Sequence, residues 1–157
     1  LEIARLAPPG RSWWHWRNEL LWSTLLPLAC AAALGAAFGP LAAAFFFGQS
    51  AMAIALLEAV NYVEHYGLER ARLADGRHEP VSERHSWDAN QVLTNSFLIH
   101  LQRHADHHLN PLRPYAALQP RGGSPKLPAG YPAMLPLAVV PPLWFAVMNP
   151  RVPRAQA

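Results

Sequence analysis

The sequence predicts an all-α fold: a membrane helical hairpin, then a cytoplasmic helical metal-binding region that ends in a proline-rich segment. Three observations carry this. From Leu20 to Leu57 there is no Asp, Glu, Lys or Arg, a run about twice the twenty or so apolar residues that a membrane helix needs. Gly39-Pro40 divides the run, and proline cannot continue a helix without losing a hydrogen bond. Beyond the run, His104, His107 and His108 are spaced i, i+3 and i+4, which puts three imidazoles on one helical face.

Taken in order, residues 1–18 carry Arg5, Arg11 and Arg17 around Pro8-Pro9-Gly10, then Trp13, Trp14 and Trp16, with Trp22 following. Tryptophan favours the headgroup level, so this segment reads as the cytoplasmic approach to a membrane helix. The first span is predicted over 19–38 and the second over 41–60, continuing as helix through Asn61 to Tyr66. Arg70, Arg72, Arg77 and Arg84 come next. Both outer flanks are thus basic, which places both on the cytoplasmic side of the membrane. Glu58 lies near that end of the second span, where a carboxylate costs less than at the centre and still has to face protein or metal rather than lipid.

Residues 61–157 are predicted to form the cytoplasmic catalytic region. Gly67 to Trp87 reads as a polar loop. Asp88 to His108 reads as one helix, with Asp88 placed to cap it and His100 one turn before the triplet on the same face. Asn110-Pro111 ends that helix, and a loop rich in Pro and Gly runs from Pro120 to Gly130. The apolar stretch Tyr131 to Met148 holds Pro132, Pro136, Pro141 and Pro142. That many prolines argue against a span and for packing on the domain or lying at the interface.

Composition narrows the chemistry. The net charge of +3 alone would suit nucleic acid, but an uncharged run of this length has no use in such a protein, and basic cytoplasmic loops explain the charge. Cys30 is the only cysteine and lies inside the apolar run, which excludes a disulfide framework and a C-x-x-C metal clip. Any metal is therefore held by histidine and carboxylate, and neutral imidazole suits iron, copper, nickel and zinc. His65 stands at the cytoplasmic end of the second span, with Glu58 and Asn61 or Tyr62 on the same stripe. Such neighbours are expected to fix the imidazole tautomer. The chain opens on Leu1 without an initiator Met, as a fragment of a longer protein would.

Asn61-Tyr62-Val63-Glu64-His65-Tyr66-Gly67-Leu68 resembles the NYxEHYGL signature of the membrane alkane monooxygenases, and Leu101-Gln102-Arg103-His104-Ala105-Asp106-His107-His108 resembles their LQRHxDHH box. Arg84-His85-Ser86-Trp87 and Pro141-Pro142-Leu143-Trp144 are similar to the same family. The resemblance implies a six-helix membrane protein whose cytoplasmic face holds two irons in an all-histidine shell. It implies hydroxylation of the terminal carbon of medium-chain alkanes with O2, using electrons from rubredoxin. Carried over by motif, His65, His104, His107 and His108 are iron ligands. Glu58, Asn61, Glu64, His100 and Asp106 are candidates for a supporting shell.

The chain departs from the family pattern in lacking the earlier HExxH and EHxxGHH boxes, and four histidines cannot complete two iron sites. Asp88 stands where Asn is common, Ala105 where Ser is, and Leu109 where Ala is. The absence of C-x-x-C makes rubredoxin a separate partner. Arg70, Arg72, Arg77, Arg113, Arg121 and Lys126 offer a basic surface to steer an acidic donor. Ala42, Ala43, Ala44, Gly48 and Ala51 would leave room for an alkyl chain, although small residues also let membrane helices pack closely. Rival readings are a xylene-type or fatty-acyl hydroxylase or desaturase, and a catalytically silent hairpin fragment.

Overall fold

The computed structural model describes residues 18–153. The predicted cytoplasmic approach, with Trp13, Trp14 and Trp16, lies outside the described residues apart from Asn18. Among the described residues the structure is helical, with two isolated bridges and no strand. It divides after Ile54 into two compact units.

The first unit contains α1 (Glu19–Phe38) and the opening part of α2 (Pro40–His65). Asn18 caps α1, its side-chain oxygen accepting from the Leu20 N–H at 3.1 Å, which satisfies one of the helix's orphan donors. Gly39 ends α1 with φ +89° and donates its N–H to the Gly35 carbonyl at 2.9 Å, a conformation that a side chain would strain. Pro40 then opens α2, where its missing N–H costs nothing. The Gly39-Pro40 pair therefore both stops one helix and starts the next. At Gly35 an added Cβ would meet the Ala43 Cβ at 3.4 Å, the close approach that small residues permit.

Ala31 is the one buried residue of α1, while Leu26, Phe38, Leu41 and Phe45 are widely exposed. A helix that is apolar all round and unburied suits lipid rather than water. Both helices are long and apolar enough to cross a membrane. The hairpin marks the chain as a membrane protein.

The second unit begins with the last turns of α2 and adds α3 (Val92–Phe97), α4 (His104–Leu109), α5 (Tyr131–Ala138) and α6 (Pro141–Met148), with 3-10 turns at Glu83–His85, Tyr115–Ala117 and Asn149–Arg151. Its core gathers Val63, Trp87, Ala89, Leu127, Tyr131, Met134, Trp144 and Met148. Trp87 pins the polar loop to the end of α2. Its backbone N–H donates to the Glu64 carbonyl and its indole N–H to the Tyr66 carbonyl, both at 2.8 Å. At Gly67, with φ +67°, a Cβ would lie 2.7 Å from a Val152 methyl, so both the turn and the close approach demand glycine. The prolines of the C-terminal stretch sit mainly in first turns of α5 and α6, where they fit, and the two short helices pack on the domain.

The predicted single helix over Asp88–His108 is corrected. It is two short helices separated by a left-handed turn, with φ +49° at Ile99 and +63° at His100. Buried polar groups impose the break. Asn95 donates to the carbonyls of Ala89 and Gln91, and the His100 N–H reaches back to the Asn95 carbonyl at 2.8 Å. Asp88 does cap a helix, but a later one: its carboxylate accepts the Ala105 N–H at 2.8 Å, at the start of α4.

Candidate metal centre

Two segments bring the histidines together. His65 is the last residue of α2, and its Nδ1–H donates to the Asn61 carbonyl at 2.9 Å. A carbonyl can only accept, so this bond fixes the tautomer and leaves Nε2 with its lone pair. Asn61 thus supports His65 through its backbone rather than its side chain. His104 and His108 lie one turn apart on α4, with ring centroids 4.4 Å apart. His65 Nε2 faces His108 Nε2 at 3.1 Å, a spacing at which a shared proton or a cation holds two ring nitrogens together.

One nitrogen from each of His65, His104 and His108 falls within a set spanning at most 4.8 Å. That is close to the roughly 4 Å spanned by two metal–imidazole bonds in line. His104 is only 9% exposed, and neither of its ring nitrogens has a hydrogen-bond partner. Burial first, then the neighbouring imidazoles of His108, His65 and His107, push its pKa down to about 3. His108 is lowered by burial and by His65 and His107. Buried imidazole nitrogens left unpaired are costly, and neutral ones are what a metal requires. The donor set therefore fits a metal, and three imidazoles leave coordination positions open for a reacting molecule.

His107 stands apart from that trio. Its ring stacks on Tyr115 at 5.1 Å with a 23° tilt, its centroid lies 5.8 Å from that of His104, and its Nδ1 has no partner. His100 is not on the triplet's face, because the left-handed turn carries it away. Its Nδ1 lies 3.0 Å from the Ala116 carbonyl and 3.3 Å from Arg103.

The candidate carboxylates differ among themselves. Glu64 is buried, with Oε2 3.2 Å from His104 Nε2, a close approach that is not aligned as a hydrogen bond. Its Oε1 accepts from the Tyr131 hydroxyl at 2.5 Å. Burial and the adjacent Glu64 push the Tyr131 phenol far above its ordinary range, so it stays a donor. Asp106 faces away from the imidazoles. Burial alone would raise its carboxyl, but the Gln119 N–H, Arg121, Arg113 and Asn110 outweigh burial and hold it well below the usual carboxylate range. Glu58 and Asn61 line an open cleft of about 710 Å³ with Tyr62, His65, Tyr66, Gly67 and His108.

The basic surface expected to steer a donor is largely engaged within the chain. Arg113 and Arg121 hold Asp106, Lys126 reaches Asp88, and Arg77 pairs with Asp75 at 2.7 Å. Tyr131 and Tyr115 were not anticipated as neighbours of the site. Tyr131 is 67 residues from Glu64, and no local spacing announces so distant a contact.

Fold and site together define a membrane protein with a histidine cluster suited to a metal. A family model described as fatty acid desaturase matches residues 1–144, and the chain belongs to that family. It is 53% identical over 152 residues to alkane 1-monooxygenase 2 of Pseudomonas aeruginosa and 51% identical over 152 residues to alkane 1-monooxygenase 1 of the same organism, each match covering 97% of this chain. A more distant relative, the hydroxylase component XylM of the xylene/toluene monooxygenase of Pseudomonas putida, is 26% identical over 94% of the chain and is covered over 38% of its length. The chain spans only 40% of the length of each alkane 1-monooxygenase.

Proposed function

We propose that the chain supplies His65, His104, His107 and His108 to a di-iron centre of an alkane 1-monooxygenase, hydroxylating the terminal carbon of medium-chain alkanes. The observation that carries the proposal is the convergence of ligand nitrogens from the end of α2 and from α4. In this reading residues 19–38 and 41–60 span the bacterial inner membrane, 1–18 form the approach, and 61–157 form the catalytic region on the cytoplasmic side. Further histidines from elsewhere in a complete protein finish the two iron sites, and the chain by itself is catalytically silent.

Bound iron would supply the activation of O2, chemistry that no side chain here provides. The residues do the rest. His65 is held in one tautomer by the Asn61 carbonyl, His104 is kept neutral by burial, and α4 is fixed at its start by Asp88 and on its outer side by Asp106. The cleft beside His65 and His108 gives an alkane a way to the centre. Electrons come from a separate rubredoxin. Because Arg77, Arg113, Arg121 and Lys126 are paired with carboxylates, Arg70 and Arg72, which bond backbone carbonyls at 3.4 Å, and the exposed Arg84 are the better docking candidates.

The test is made on the full-length protein. Alanine at His65, His104 or His108 is expected to lower bound iron, measured by elemental analysis, and to abolish octanol formation from octane. Unchanged iron in all three variants would sink the proposal. The match to XylM favours one second reading, alkyl-aromatic side-chain hydroxylation. Product analysis with octane, xylene and a fatty acid separates the substrates.

A further inference from the structure

We infer that Tyr131 and Glu64 form a positioning pair for the His104 imidazole, a role that rests on the proposed metal centre. Glu64 sits on the last turn of α2 beside His65, whereas His104 opens α4. Its carboxylate therefore joins the two segments that carry the imidazoles. One oxygen is held by the Tyr131 hydroxyl at 2.5 Å and the other lies 3.2 Å from His104 Nε2. Glu64 is 3% exposed and Tyr131 is 1% exposed, so water does not compete for either group.

Tyr131 is fixed at both ends. Its backbone N–H donates to Gln102 Oε1 at 2.7 Å, and Gln102 Nε2 donates to Thr94 Oγ1 at 2.8 Å. Gln102 in turn lies two residues before His104. The phenol, anchored through α5, thus fixes the carboxylate, and the carboxylate limits how the His104 ring can turn. Carboxylates that orient metal-bound histidines commonly govern how tightly the metal is held. Neither ring nitrogen of His104 has a hydrogen-bond partner among the described residues, and the Glu64 carboxylate is the acidic group that lies against one of them.

The experiment uses the full-length protein loaded with ferrous iron, and follows iron release to a chelator together with the Mössbauer spectrum. Tyr131→Phe and Glu64→Gln are each expected to speed release roughly 10- to 100-fold and to change the quadrupole splitting of the iron. The acceleration is expected to vanish in a His104→Ala background, the coupling that neighbours in one network show. Release within twofold of the parent in both variants, or the same acceleration without His104, would overturn the inference. If alanine at His65, His104 and His108 each left the bound iron unchanged, the underlying metal-centre reading would fall instead.

Discussion

The two units are held together by different physics. In the first, the specific contacts include a capping bond, a glycine turn, a close approach of Gly35 to Ala43 and local hydroxyl bonds to backbone carbonyls within each helix, and most large apolar side chains are exposed. Its stability depends on a solvent that accepts apolar surface and on backbone bonds satisfied within each helix. In the second, the helices after α2 have only six or eight residues, too short to persist alone, and buried carboxylates tie them into place. A hairpin of this kind tolerates side-chain change over most of its surface. A domain pinned by a few buried charges does not.

The sharpest way to break that contrast is at Asp106. Its carboxylate is fully buried and takes hydrogen bonds from Asn110, Arg113, Arg121 and the Gln119 N–H. Asp106→Ala leaves both arginines without their partner. The expected loss is about 3 kcal/mol, at the low end for breaking a buried pair because the arginines are a third exposed. Denaturant unfolding in detergent, followed by tryptophan fluorescence, measures it. A loss under about 0.5 kcal/mol would mean that α4 does not depend on this clasp.

Asp88 is the next lever. Asp88→Ala removes the acceptor for the Ala105 N–H, takes one acceptor from the Ser124 hydroxyl, and leaves Lys126 with the Arg121 carbonyl and Ser124 but without its carboxylate. Losing a cap costs about 1 kcal/mol, and the further unsatisfied groups bring the expected total to about 2 kcal/mol. Amide exchange should rise first across residues 104–109. Uniform exchange over the whole second unit would instead show that Asp88 supports the core and not that helix in particular.

These two carboxylates also show where sequence reading stops. The hairpin was legible because a 38-residue uncharged run and Gly39-Pro40 act locally. The i, i+4 spacing puts His104 and His108 side by side, and His65 lies beside them. The same spacing gave no warning that His107 would stack on Tyr115. Periodicity also misread 88–108, since apolar positions at helical spacing say nothing of a turn imposed by Asn95 and His100. The sequence offers Asp88 as a cap and Asp106 as a candidate for the supporting shell. Their partners lie 36 and 15 residues away at Ser124 and Arg121, and such pairings are set by tertiary structure.

Gly67→Ala should cost less, about 1 kcal/mol for a left-handed position, with more if Val152 cannot move away from the new methyl. Thermal unfolding of the variant measures the total. Pairing it with Val152→Ala separates the causes: recovery in the double variant assigns part of the loss to the contact, whereas no recovery assigns it to φ.

The smallest effect is expected in the hairpin. At Gly48 an added Cβ meets nothing within 4 Å, unlike Gly35 against Ala43, so close packing within the described unit does not explain this glycine. Gly48→Leu should leave stability within about 0.5 kcal/mol, as for a surface substitution. In the full-length protein the same change is expected to shift hydroxylation towards shorter alkanes, because the added side chain would occupy space otherwise open to an alkyl chain. Product ratios across a series of alkane lengths read this directly. An unchanged ratio with unchanged stability would remove Gly48 from the substrate's path and leave the hairpin's small residues with packing alone.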